Sequence, residues 1–195
     1  MTIQRELTRK LIHMSTMGIP IGYLVLGKSV ILWIVGITLS IALFIEFARF
    51  FWSEFSDRFY KTTGMLLRKH ERSDLTGATY LLLGSFIAIL FYEKTISIPV
   101  LFIVIIADSL SALFGKMFGR NVVYHGKSVE GCVVFILLSS IIMVFAPGIS
   151  FLVGLAGVVT AFLVDIVIRK IDDNLTIPVI AGGVMQILWM LNHPA

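Results

Sequence analysis

Between Asp108 and Gly131 an apolar run breaks into ADSLSALFGKMFGRNVVYHGKSVEG and then at once becomes apolar again. An aspartate embedded in hydrophobic sequence, two glycines a helical turn apart and a Lys-Ser-x-Glu-Gly cluster are costly choices in a lipid environment unless chemistry requires them. Lys116, Arg120 and Lys127 supply cations, and Gly115, Gly119, Gly126 and Gly131 supply permissive backbone amides. Polyphosphate binding requires both. Glu130 stands just after Lys127-Ser128 as a second oxygen donor to set beside Asp108. Two carboxylates facing a basic rim suit Mg²⁺ held through phosphate oxygens, because that ion takes one or two protein carboxylates and completes its shell elsewhere.

The spacing has geometric content. On a helix, Asp108, Ser111, Gly115 and Gly119 fall on one face. At about 1.5 Å per residue Asp108 lies about 10 Å inward from Gly115, just below headgroup level. Gly115-x-x-x-Gly119 also fits plain helix packing. Gly126-Lys127-Ser128 imitates the end of a P-loop, but six residues rather than four separate Gly119 from Gly126, and a helix rather than a strand is expected before it.

Two further groups matter. Asp172-Asp173-Asn174 follows Arg169-Lys170; Asn174 reads as the N-cap of the last helix, with Pro178 in its early turns, which leaves two adjacent acids at a membrane edge unexplained. Asp165 reads as a structural i, i+4 partner of Arg169. Glu6, Arg9, Lys10 and His13 step along one helix face, and His13 is expected to line the site rather than act in it. Glu46 is expected to pair with Arg49.

The elements that position these residues are membrane helices. The hydrophobic fraction is 57%, only 14% of residues are charged, and mean hydropathy is +0.95, against about 25% charged in soluble proteins. Apolar segments run over roughly 11–27, 29–47, 76–92, 96–114, 131–146, 149–168 and 175–191, near the ~20 residues that cross a hydrocarbon core. Each must be a helix, because in lipid every backbone amide needs an internal partner. The fold expected is an all-α integral membrane protein of about seven transmembrane helices, a single polytopic domain over 1–195 with its N-terminus cytoplasmic.

Charge sets that orientation. Of the 16 basic residues, all but Lys28 and Lys94 then fall on inner pieces, as the positive-inside rule demands. The net charge of +4 is a topology signal and not a nucleic-acid footprint. Outer turns at Gly27-Lys28-Ser29, Glu93-Lys94-Thr95 and Pro147-Gly148 are minimal. In the 48–75 connection Phe51, Phe55 and Phe59 recur every four residues among polar neighbours, the pattern of an amphipathic helix lying in the interface. The first apolar run carries His13 and Pro20 and lacks an A-x-A exit, so it reads as a span and not a cleaved leader. Cys132 is the one cysteine, so neither a disulfide nor a zinc site is expected.

Taken together, the residues resemble the CTP-dependent polyprenol kinases: dolichol kinase, phytol kinase and the yeast-type CTP-dependent diacylglycerol kinase. The resemblance covers nearly the whole chain, through Glu6-x-x-Arg9-Lys10-x-x-His13, Arg68-x-x-Glu71 with Thr76-Gly77-Ala78, Asp108-x-x-Ser111-x-x-x-Gly115-x-x-x-Gly119, Lys127-Ser128-x-Glu130-Gly131 and Asp173-Asn174-Leu175-Thr176-Ile177-Pro178. Ala107 replaces the family's usual glycine before the aspartate. The extra spans of eukaryotic dolichol kinases are missing, as in a minimal prokaryotic-type member.

The resemblance implies transfer of the γ-phosphoryl of CTP to the hydroxyl of a lipid alcohol (a polyprenol, a phytol-like alcohol or diacylglycerol) that enters laterally from the bilayer. It implies Asp108 and Glu130 on Mg²⁺, Lys127 and Arg120 on the phosphates, and Ser128 on a phosphate or the metal. Asp173, with Asp172, would orient or deprotonate the hydroxyl. Ser111, Gly115, Gly119, Gly126, Gly131 and Asn174 would complete the nucleotide site. The same arrangement is similar to that of CTP:phosphatidate cytidylyltransferases, but their C-terminal His-Gly-Gly-x-x-Asp-Arg-x-Asp core is absent, and Asp172-Asp173-Asn174-Leu175 stands in its place. A seven-span transporter would carry charges at mid-membrane along several helices, whereas here the acids crowd the inner ends.

Overall fold

The computed structural model describes residues 3–68, 70–124, 126–168 and 170–193. Lys69 and Arg169, counted above among the inner basic residues, lie outside them, and so does the expected Asp165–Arg169 pair. The chain forms α1 (Ile3–Ser15), α2 (Gly18–Leu26), α3 (Lys28–Phe51), α4 (Ser53–Thr63), α5 (Gly77–Phe91), α6 (Lys94–Phe102), α7 (Asp108–Phe118), α8 (Val129–Val144), α9 (Phe151–Val167), α10 (Asp173–Thr176) and α11 (Gly182–Asn192). Between α7 and α8 lies a short antiparallel hairpin, β1 (Val122–Tyr124) and β2 (Lys127–Ser128). Gly126 turns it with φ of 85°, a conformation open to glycine and strained for side-chain-bearing residues. Among the described residues the regular structure is helical apart from this hairpin, which the sequence reading did not anticipate.

α6 and α7 join through a π-helical turn, Ile103–Ala107, into one apolar helix of 25 residues. α10 and α11 join through a second π turn, Ile177–Ala181, into one of 20 residues. With the 24-residue α3 these are, among the described residues, the helices long and apolar enough to cross a membrane, and α5, α8 and α9 are shorter apolar helices. The segment 11–27 departs from expectation. It breaks at Thr16-Met17, where the Thr16 hydroxyl donates to the His13 carbonyl at 2.5 Å, and the nine residues of α2 extend only about 14 Å, too short alone for a core of about 30 Å.

The main core joins Ile103, Val104, Ala107, Phe135, Ala161 and Ile177, and a second cluster packs Tyr23, Ile31 and Val35 against Ala88, Ile89 and Leu101. α7 packs on α8, α8 on α9, and α9 on the second π turn and α11, while α3 lies along α5. The outward side of α3 exposes Trp33, Ile37 and Phe44, an apolar surface that belongs in lipid. α4 forms as a separate helix behind an extended Trp52 (φ −116°, ψ 106°), and none of its residues is buried. Its Phe55 and Phe59 rings stack with centroids 6.2 Å apart, giving the amphipathic element the phenylalanine period called for.

One end of the bundle is held by ion pairs and buried hydrogen bonds. Arg49, 2% exposed, pairs with Glu46 and donates to the carbonyls of Glu71 (2.5 Å) and Asp74 (2.6 Å). Glu46 Oε1 accepts from the Thr76 amide at 2.7 Å and the Thr79 hydroxyl at 3.0 Å. Glu71 accepts from the amides of Arg68 (2.7 Å) and Gly77 (3.2 Å). The connection from α4 to α5 is thereby fixed against the helix ends, and it delivers Arg68 to the site.

Candidate active site

Five elements converge on one buried centre. Asp108 opens α7 directly after the π turn, and its amide donates five residues back to the Ile103 carbonyl. Its Oδ2 accepts from Lys10 Nζ of α1 at 2.6 Å, with both side chains about 95% buried. Asp165, in the last turn of α9, pairs with Lys127 of β2. Asp173 opens α10. One carboxylate oxygen from each of Asp108, Asp165 and Asp173 lies within 4.8 Å of the others.

Three carboxylates so close repel one another strongly unless cations lie among them. Lys10 and Lys127 balance two of the three negative charges, and the remainder together with the oxygen-only donor set matches what a hard divalent cation takes. Arg68 approaches from the far side, its Nη1 3.5 Å from Asp172 Oδ2. Burial and then the neighbouring charge of Asp173 push the Asp172 carboxyl up to about 7.

Two cavities meet at Asp165. One, of about 380 Å³, is lined by Ser111, Gly115, Lys116, Gly126, Lys127, Ser128, Gly131 and Asp165. Six of the expected nucleotide residues are thus brought to one glycine-lined space, which Glu6 also lines, 3.8 Å from Lys116, so that each lysine there has an acidic partner. The other, of about 260 Å³, is lined by Arg68, Asp74, Tyr80, Asp165, Asp172 and Asp173.

The glycines also serve packing. A Cβ on Gly115 would stand 2.8 Å from Ser128 Oγ and 3.4 Å from the Gly131 Cα, and one on Gly131 would stand 3.0 Å from the Ser111 carbonyl. Close approach of α7 to α8 therefore needs glycine at both positions. Two of the amides expected to be bare are taken within the fold: Gly119 donates to the Gly115 carbonyl at 3.1 Å, and Gly131 to Ser128 Oγ, the α8 N-cap, at 3.1 Å.

The structure does not bring every expected residue to the centre. Glu130 is not among the carboxylates that converge; its Oε1 accepts from the Arg120 amide at 3.1 Å, tying the end of the α7 connection to the first turn of α8. The acids beside Asp108 are Asp165 and Asp173 instead, which corrects the pairing of Asp108 with Glu130. Arg120 is exposed, and neither it nor Gly119 lines either cavity. The cap of α10 is Asp172, whose Oδ1 accepts from the Asn174 amide at 3.0 Å, so Asn174 is not the N-cap. His13 lies with Nε2 3.2 Å from the Val104 carbonyl. Lys10 and Asp165 are the members the sequence reading left out of the centre, although the argument that singled out Asp108, an acid inside an apolar run, applies equally to Asp165.

What the fold and site define together is a helical membrane protein with a buried carboxylate centre next to a glycine-lined cavity that two lysines enter. The chain is 30% identical over 183 residues to an uncharacterized protein of Rickettsia prowazekii, covering 89% of each. It is 29% identical over 196 residues to an uncharacterized protein of Methanocaldococcus jannaschii, covering 97% of this chain and 94% of that one. It is 26% identical over 213 residues to the CTP-dependent diacylglycerol kinase 1 of Saccharomyces cerevisiae, covering 94% of this chain and 73% of the yeast protein. The chain belongs to the family of the Rickettsia protein. No family model matches it, and no solved structure does.

Proposed function

We propose that the protein is a CTP-dependent lipid kinase, which moves the γ-phosphoryl group of CTP to the hydroxyl of a membrane lipid alcohol and releases CDP. The observation that carries this is the convergence of Asp108, Asp165 and Asp173 beside a glycine-rich cavity that Lys116 and Lys127 line. The donor and acceptor classes rest on the distant likeness to the yeast kinase. Asp108 and Asp165 would hold Mg²⁺, whose charge would neutralise the phosphates, leaving Asp173 free for the acceptor. Lys127, with a quarter of its side chain exposed to the cavity, reaches the phosphates once the cation displaces it from Asp165. Asp173, backed by Asp172, orients the acceptor hydroxyl and takes its proton as the new P–O bond forms and the bridging bond to the β-phosphorus breaks. Such transfer has a loose transition state, so positioning and charge neutralisation dominate over covalent chemistry. The site faces the cytoplasm, where the nucleotide is.

Labelled CTP tests the proposal. Membranes containing the protein should transfer label to a lipid alcohol from the γ position and not from the α position. Label arriving from the α position on phosphatidate would replace the kinase with a cytidylyltransferase. No transfer from any nucleotide, with Asp108 still essential for flux across the membrane, would replace it with a transporter.

A further inference from the structure

Of the two cavities that meet at Asp165, Asp173 lines only the smaller, of about 260 Å³. A hydroxyl oriented by Asp173 therefore lies in that space, across Asp165 from the cavity of Lys127 and the glycines. Sites for drug-sized ligands run to about 300–1,000 Å³, so the smaller cavity takes a head group and not a second nucleotide. Ile168 and Ile171 line one edge of it, and Ile171 is 46% exposed, which gives an attached chain an apolar way out.

Phosphoryl transfer changes what that space must hold. The acceptor oxygen bonds to the γ-phosphorus, the bond from that phosphorus to the β,γ-bridging oxygen breaks, CDP leaves with the electron pair, and the hydroxyl proton goes to Asp173. A neutral alcohol has then become a phosphate monoester of about −1.5 to −2 charge, set among Asp74, Asp165, Asp172 and Asp173. Like charges so placed repel one another, and the cations that line the cavity are Arg68 and Lys170. Arg68 is fixed at its backbone, where its amide donates to Glu71 Oε2 at 2.7 Å, and loosely held at its head. Among the described residues its guanidinium hydrogen-bonds only to Asp172 Oδ2, through Nη1 at 3.5 Å, longer than the about 2.7–3.2 Å of ordinary N–H···O bonds. With 29% of its side chain exposed, it keeps donors for a phosphate, which the planar fork can hold by two parallel bonds. We propose that Arg68 is the catalytic cation of the acceptor side: it meets the phosphoryl group as it arrives and holds the monoester head of the lipid product until release. The assignment deepens the kinase reading and rests on it. It divides the Arg68-x-x-Glu71 motif between Glu71, which fixes the loop, and Arg68, which reaches the phosphate.

The test uses the full chain in nanodiscs and two phosphate monoesters as probes, a C20 prenyl monophosphate and dioleoyl phosphatidate, each beside its parent alcohol. Retention of the radiolabelled monoester reads binding without turnover. Arg68→Ala should weaken the monoester that the unaltered protein retains by roughly ten- to a hundredfold, the value of hydrogen bonds to a charged group. It should also lower kcat and leave the KM for the alcohol and for CTP unchanged. Arg68→Lys, which keeps the charge without the fork, should fall between. Lys170→Glu reverses an exposed charge on the cavity wall and should weaken the same monoester severalfold, so it decides the matter if Arg68→Ala misfolds. Monoester binding unchanged in both variants while γ-phosphoryl transfer proceeds overturns the role of Arg68 and leaves the kinase standing. Equal loss of monoester and alcohol affinity in Arg68→Ala makes Arg68 structural and overturns it too, as does retention of neither monoester by the unaltered protein. Arg68-dependent retention of a monoester without transfer from any nucleotide supports the phosphate contact and removes the kinase.

Discussion

Asp165→Asn separates the two readings of the centre most cleanly. If Asp165 were a salt-bridge partner of Arg169, the change would be mild. The structure instead sets its carboxylate within 4.8 Å of those of Asp108 and Asp173. A unit charge about 4 Å from another is worth about 4 kcal/mol at an effective dielectric near 20. Losing that from a transition state in which a cation and phosphates occupy the centre lowers turnover by about three orders of magnitude, at 1.36 kcal/mol per tenfold. The apo protein should behave differently, because the substitution removes one of three mutually repelling carboxylates. Lys127 loses its partner but has 23% of its side chain in contact with solvent, so its charge is not stranded. The melting temperature without Mg²⁺ should therefore hold or rise, while the stabilisation gained on Mg²⁺ titration shrinks. The assay pairs γ-phosphoryl transfer with thermal unfolding across a Mg²⁺ series. Near-normal turnover with an unchanged Mg²⁺ dependence would show that Asp165 is a structural ion-pair residue and that the cluster is not the metal site.

Other outcomes follow from the same geometry. Glu130→Gln, which weakens the acceptor for the Arg120 amide, should lower the melting temperature only slightly and leave the Mg²⁺ dependence of turnover unchanged; loss of Mg²⁺ response would return Glu130 to the metal. Gly115→Ala drives a Cβ to 2.8 Å from Ser128 Oγ, so it should destabilise by about 1–3 kcal/mol as overpacking does, read as a lower melting temperature with a raised CTP KM. Cys132, at the inner end of α8 in the expected topology, should react with a membrane-impermeant maleimide in inside-out vesicles and not in intact cells; labelling from outside would invert the topology.

The centre was legible only in part, and the reasons are physical. Inside α7 the helix is regular, so the shared face of Asp108, Ser111 and Gly115 follows from spacing alone: the first two are buried, and the third meets α8. Pairing Asp108 with Glu130 relied on nearness in sequence, but the hairpin β1–β2 intervenes. The first turn of α8 then satisfies Glu130 from Arg120. Asp165 and Lys10 reach the centre through contacts 57 and 98 residues removed in sequence from Asp108, and a one-dimensional pattern carries no such information. The break at Thr16-Met17 was likewise hidden, because its apolar residues are as suited to a continuous span as to two short helices.

The two π turns explain why the acids meet at all. Ile103–Ala107 ends where Asp108 begins, and Ile177–Ala181 starts one residue after α10 ends. A π turn inserts an extra residue into the helical register and rotates everything beyond it, and such turns concentrate at functional sites. Pro178 lies in the second, where its missing N–H already breaks the regular ladder. In the first, the proline lies one turn earlier, at Pro99, and the Val104 carbonyl is the one His13 faces at 3.2 Å. Both long helices thus depart from regular geometry within a turn of the carboxylates they deliver. A five-residue departure on a well-packed apolar helix gives up regular hydrogen bonding, and burial of Ile103, Val104, Ile105, Ala107, Ile177 and Ala181, all at 0% exposure, offsets that loss. The core of the molecule is therefore arranged to hold Asp108 and Asp173 in register with each other and with Asp165.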